Sequence, residues 1–187
     1  MKKFIGKLVF FLMGWKLDNK FDISNIPSAV LVAGPHTSNW DFVMAVSSFW
    51  QMEIPMKVFI KDDWTKPWYG FIIEWFGGVG VDRTQRQNMV EYAAELLRDK
   101  SQKLYFINTP EGTRSYADKW KRGFYYIALK GEVPILFAYA DYAKKEAGIA
   151  GYIDPKDNTI EEVLAYAEKF YWNITPKFPE NYNKKVQ

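Results

Sequence analysis

Residues 29–51 read AVLVAGPHTSNWDFVMAVSSFWQ. The opening run Ala29–Ala33 is apolar throughout, the pattern of a strand buried on both faces. Gly34-Pro35 breaks it, and Thr37-Ser38-Asn39 supplies residues that cap helices. Asn39–Gln51 is then helical in pattern and strongly apolar. Strand, loop and helix recur downstream. Val58–Ile60 reads as a strand, Pro67–Phe76 as an aromatic helix ended by Gly77-Gly78, and Val79–Asp82 as a strand. Gln85–Lys100 is the clearest amphipathic helix, with Met89, Tyr92, Ala93, Leu96 and Leu97 on one face. Leu104–Ile107, Val133–Tyr139 and Gly148–Ile153 read as further strands. Trp120–Lys130 and Thr159–Phe170 read as helices, the latter capped by Thr159 with Glu161-Glu162 in its first turn. Repeated alternation of this kind predicts an α/β fold, a mostly parallel central sheet flanked by helices. Without linker, repeat or low-complexity stretch, residues 1–187 read as one domain. Ligands of such sheets sit beyond the carboxyl ends of the strands, so the loops after AVLVA, VGVD and LYFI are the ones to inspect.

Composition narrows the chemistry. The chain has 187 residues, a net charge of +3, one His and no Cys. Without Cys there is no disulfide scaffold, thiol nucleophile or cysteine-based metal centre, and one His excludes multi-histidine zinc sites. No metal site is expected. The charge is unevenly placed. Residues 1–20 carry five Lys and one Asp, residues 177–187 three Lys and one Glu, and the body between is slightly acidic. A nucleic-acid binder would spread its positive charge over the domain, so that class is excluded. Aromatics make up 18%, which fits a large aromatic core or a surface at lipid headgroups.

The first 17 residues form a predicted amphipathic helix. Phe4, Ile5, Leu8, Phe11, Leu12 and Trp15 share one arc, with Lys3, Lys7, Gly6 and Gly14 opposite. The apolar run Leu8–Met13 falls far short of the roughly 20 residues a bilayer span requires. Lys7 and Trp15-Lys16 do not suit a signal peptide. Two uses fit: a helix lying in the headgroup plane with its lysines near anionic lipid, or a helix packed on its own domain. Residues 177–187 read as a polar, irregular tail.

Three loops carry candidate chemistry. His36 lies between the first strand and its helix, five residues before Asp41. On one continuous helix that spacing would separate them by about 140°. They converge only if His36 precedes the helix, with Ser38 or Asn39 as cap. A carboxylate on one imidazole nitrogen then leaves the other free as a general base. A loop histidine beside a capping aspartate is the plainer alternative. The second loop, GGVGVDRT, offers Arg83 as a bidentate phosphate ligand. In the third, Glu111-Gly112-Thr113-Arg114-Ser115 gathers a carboxylate, two hydroxyls and a guanidinium. Lys121 follows in a basic stretch at a helix start, where anions are favoured. Ser38 lies near His36 but lacks a nucleophile-elbow context.

Taken in order along the chain, these motifs resemble the glycerolipid acyltransferase family, typified by 1-acyl-sn-glycerol-3-phosphate (lysophosphatidic acid) acyltransferases. His36 and Asp41 match its His-x4-Asp motif, GGVGVDR its Gly-rich Asp-Arg strand, and Pro110–Ser115 its Pro-Glu-Gly-Thr-Arg-Ser motif. WKRGF matches the following basic stretch, and Val133-Pro134-Ile135 matches Val-Pro-Ile-x-Pro except that Phe137 replaces the last Pro. Thr109 stands where a Phe is more usual. The resemblance implies an O-acyltransferase that moves a fatty acyl group from acyl-CoA or acyl-carrier-protein to the hydroxyl of a lysophospholipid, without a cofactor. His36 would be the base and Asp41 its support. Arg83, Glu111, Gly112, Thr113, Arg114 and Lys121 would form the substrate site. We assign the acyl chain to a groove along the aromatic helix Pro67–Phe76. Both donors place the enzyme on the cytoplasmic side of the cell membrane as a peripheral protein. Alternatives are transfer to another lyso-lipid such as an aminoacyl lipid, thioester hydrolysis, or non-catalytic lipid binding.

Overall fold

The computed structural model describes residues 1–81 and 86–186. Along the chain run α1 (Lys2–Met13), β1 (Lys16–Asp18), β2 (Ser28–Gly34), α2 (Asn39–Gln51), β3 (Met56–Lys61), α3 (Gly70–Trp75) and β4 (Gly78–Val81). They are followed by α4 (Arg86–Arg98), β5 (Leu104–Asn108), α5 (Gly123–Gly131), β6 (Ile135–Asp141), β7 (Glu146–Ile153) and α6 (Ile160–Tyr171). Among the described residues the strands form one sheet in the order β1-β7-β6-β2-β5-β3-β4. All neighbours are parallel except the β6–β7 pair. The expected mostly parallel α/β sheet is present. The three-residue β1, which the sequence pattern did not show, adds an edge beside β7.

β2 lies at the centre, paired with β5 on one side and β6 on the other. Its alternate residues enter two different cores, which is why its sequence is apolar without a break. Val30 and Val32 pack with α4, α5 and α6, whereas Ala29 and Leu31 pack under α2. Tyr171, the last residue of α6, is fully buried, and its hydroxyl lies 2.9 Å from both the Val32 and the Ala138 carbonyls. It ties α6 to the ends of β2 and β6. The start of α6 is set by Thr159 as expected: its side chain accepts the Glu162 N–H, while the Glu162 carboxylate accepts the Thr159 N–H.

The N-terminal helix packs on α2, but not through the arc its hydrophobicity suggests. Gly6 and Phe10 face inward, and a Cβ at residue 6 would lie 2.5 Å from the Ser47 carbonyl oxygen. Two helices can approach this closely only where one offers bare backbone. Lys3, expected on a polar face, finds a partner on the domain in Glu53, and Lys2 Nζ donates to the Trp75 carbonyl. Phe11 and Leu12 are left 82% and 72% exposed, and Phe4 and Leu8 also face outward. Among the described residues no helix is long and apolar enough to cross a membrane.

Residues 176–186, expected as an irregular polar tail, dock on the domain. Tyr182 and Val186 are buried in the core shared with α5 and α6. The Phe178 N–H donates to Thr37 Oγ1, and the Trp120 N–H donates to the Val186 carbonyl. This strap touches the loop after β2 and the segment leading into α5.

Candidate active site

The loop at the carboxyl end of β2 breaks before the helix, as the His36–Asp41 spacing requires. Ser38 is the N-cap of α2, its Oγ accepting the Trp40 N–H, and Asp41 sits in the first turn. His36 therefore precedes the helix and folds back over its start. Asp41 is buried. Its Oδ2 accepts the N–H groups of Thr37 and Ser38, each at 2.7 Å, and lies 3.4 Å from His36 Nδ1, at the outer edge of hydrogen-bonding range. A carboxylate facing Nδ1 can only accept, an arrangement that favours a proton on Nδ1 and leaves Nε2 as the nitrogen turned away from Asp41. Ser38 is buried and occupied as a cap, which leaves it no role as an acyl carrier.

The loop after β5 meets this one from below. Both Glu111 oxygens accept the His36 backbone N–H, at 3.1 and 3.0 Å. Burial raises the Glu111 carboxyl to about 7, with the Asp41 charge adding to the rise and the His36 N–H opposing it. Glu111, expected among the headgroup contacts, lines neither cavity beside His36. Its carboxylate would repel a phosphate, and it turns inward to hold the histidine's main chain. Gly112 has φ +68° and packs against Lys121, whose side chain occupies the space a Cβ would need. The left-handed φ is what favours glycine there. Arg114 donates to the Asn39 side chain, linking this loop to α2. Thr113 Oγ1 accepts the Ser115 N–H. Lys121 is exposed, and its backbone N–H donates to the Pro110 carbonyl. Arg83 lies outside the described residues.

His36 borders two spaces. One is an apolar cavity of about 160 Å³, walled by Phe42, Ala45, Val46 and Phe49 of α2 and by Ala33 and Ala138 of the sheet. The other is an open groove of about 810 Å³ that carries Thr113, Arg114, Ser115 and Lys121. Pro67–Phe76, expected to line the acyl groove, lies away from the apolar cavity beside His36, and its end, Trp75 and Phe76, borders a separate cleft of about 480 Å³. Only Gly70–Trp75 is helical, none of residues 67–76 lines the apolar cavity, and Trp75 and Phe76 are taken up by packing on Trp50. The wall is α2 instead. Sequence reasoning also missed Tyr142, whose hydroxyl donates to Asp41 Oδ1 at 2.7 Å. No motif contains it. It reaches the site because the β6–β7 turn lies beside the start of α2.

A comparison with curated protein sequences finds no significant match. Among solved structures, the chain is similar to the 1-acyl-sn-glycerophosphate (LPA) acyltransferase PlsC from Thermotoga maritima. The TM-score is 0.67 and the identity 23%, covering 90% of this chain and 74% of that one. That likeness is one of fold. A family model, Acyltransferase, matches residues 19–138, a span that holds His36, Asp41, the loop after β5 and Lys121. With well over half of its 187 residues matched by that model, the chain belongs to the acyltransferase family.

Proposed function

We propose that the protein is an O-acyltransferase that moves a fatty acyl group from a thioester donor, acyl-CoA or acyl-carrier-protein, to the free hydroxyl of a lysophospholipid, with 1-acyl-sn-glycerol-3-phosphate the leading acceptor. The observation that carries this reading is the position of His36, its Nδ1 facing Asp41, between an apolar cavity and a groove bearing Arg114 and Lys121. The apolar cavity suits the first few methylenes of an acyl chain beside its carbonyl, and Arg114 and Lys121 in the groove suit a phosphate-bearing headgroup.

The chemistry follows from that placement. Nε2 of His36 takes the acceptor's hydroxyl proton as the oxygen attacks the thioester carbonyl carbon. The resulting imidazolium is balanced by Asp41. The tetrahedral oxyanion then collapses, the C–S bond breaks, and the imidazolium returns the proton to the departing thiolate. No acyl-enzyme forms, and no cofactor is consumed beyond the donor. Thr113, Arg114, Lys121 and Arg83 orient the acceptor, and Glu111 holds the main chain of the base. The outward apolar face of α1, with Lys7 beside it, is the surface we assign to the cytoplasmic leaflet.

The test is product analysis by mass spectrometry on a pool of lyso-lipids with both donors, comparing the wild type with His36→Ala. Loss of a general base should lower turnover by about 10²- to 10⁴-fold with the fold intact. Near-normal turnover in the variant would overturn the mechanism. Acylation of acceptors lacking phosphate, in preference to lysophosphatidic acid, would overturn the headgroup assignment.

A further inference from the structure

Asp41 must do more than lie near His36; its carboxylate plane must stay aimed at Nδ1. The terminal torsion of an aspartate is soft and broad, so this orientation has to be imposed from outside. Two of the donors, the N–H groups of Thr37 and Ser38, bond the same oxygen, Oδ2, which also faces the imidazole. They anchor one corner of the carboxylate and leave Oδ1 without a main-chain donor. Tyr142 supplies the missing contact, its hydroxyl lying 2.7 Å from Oδ1.

Tyr142 is itself held. It follows β6 directly, its backbone N–H donates to the Thr175 carbonyl, and its ring stands edge-on to Trp15 at 5.0 Å. Burial and the neighbouring Asp41 charge raise the phenol well above its ordinary range, so it remains protonated and a donor. The phenol thus arrives at Oδ1 from an element that shares no sequence motif with the His-x4-Asp loop.

We propose that Tyr142 is a positioning residue for the His36–Asp41 pair: its O–H fixes Oδ1, which keeps Oδ2 on Nδ1–H and so keeps Nε2 bare. The catalytic consequence rests on the reading of His36 as the base. The orienting role is separable from it, because His36 is the sole histidine and its imidazole can be observed directly.

Tyr142→Phe tests this with one atom removed and the ring, the Trp15 contact and the backbone bond retained. The full-length protein is labelled with ¹⁵N, and the imidazole nitrogens are recorded above the pH at which the ring takes up its second proton. The wild type should show one protonated and one bare nitrogen. In Tyr142→Phe the two resonances should move toward each other as the tautomers mix. Turnover should fall about tenfold, the loss of one orienting hydrogen bond, with both KM values unchanged within twofold. An unchanged ¹⁵N spectrum overturns the proposal whatever happens to rate. Unchanged kcat, or a change confined to KM, also overturns it provided His36→Ala is inactive. If His36→Ala retains activity, the base reading has failed separately, and the spectrum alone decides whether Tyr142 orients the ring.

Discussion

Replacing Glu111 by glutamine isolates an energetic consequence of placing a carboxyl group beneath the His36 loop. The side chain is buried, its two oxygens both accept the His36 N–H, and burial raises its carboxyl from an ordinary 4.5 to about 7. The sign follows from proton binding. Between pH 4.5 and 7 the folded protein holds this proton and the unfolded chain has released it, so stability falls as the pH rises through that window. Below about 4.5 the carboxyl is protonated in both states and the full stability is present; above 7 it is ionised in both. At 1.36 kcal/mol per pH unit the window corresponds to roughly 3 kcal/mol, an upper figure because the loop can relax around the charge. Glutamine keeps one oxygen for the His36 N–H and removes the titration. Urea unfolding of both proteins from pH 4 to 8 gives the difference in stability at each pH, in which the titrations of all other groups largely cancel. Wild type should lose about 3 kcal/mol relative to Glu111→Gln between pH 4.5 and 7. A difference that stays flat over that range would show Glu111 ionised in the fold throughout and refute the burial argument.

Asp41→Asn puts an amide where one oxygen accepts two N–H groups and the other a phenol, so its NH2 faces either the two N–H groups or the phenol in place of an acceptor. Turnover should fall by about 10²- to 10⁴-fold, and chemical denaturation should show a loss of about 1–2 kcal/mol; turnover within threefold of wild type would remove Asp41 from the mechanism. The double variant Phe11→Asp/Leu12→Asp alters only outward positions of α1. It should leave the melting temperature unchanged and weaken co-sedimentation with anionic liposomes at least about tenfold, since each apolar side chain is worth roughly 1.5–3 kcal/mol when buried. Equal pelleting of both proteins would rule out α1 as the lipid-facing element.

The alternating pattern disclosed the central sheet because β2 is apolar on both sides, and Thr159 disclosed the start of α6 because a capping box is written within four residues. The break before α2 was legible for the same local reason: Ser38 can cap only if His36 lies outside the helix. Features that depend on distant partners were not legible. The inner face of α1 is chosen by close approach at Gly6, not by hydrophobicity, and nothing in residues 1–17 reveals that Ser47 and Glu53 await them. The segment 176–186 is polar in composition, yet Tyr182 and Val186 suffice to dock it. Glu111 reads like a ligand in its motif, and only the crossing of two loops turns it toward the His36 main chain. Tyr142 belongs to a β-turn with no signature of its own; its role exists only because β6 and β7 double back beside α2.

The strap over the two motif loops also has a meaning in time. A chain emerges from the ribosome N-terminus first, and early elements begin to fold before later ones exist. Here the His36 loop appears early, but its central strand β2 must wait for β5 and then β6, and Asp41 must wait for Tyr142. Thr37 gains its contact with Phe178 only after α6 has passed, and Trp120 is joined to Val186 later still. A nascent chain carrying all three motif loops would therefore lack the contacts that close the site. Activity should appear only once residues 142–186 have emerged and docked, after the motifs themselves have long been made.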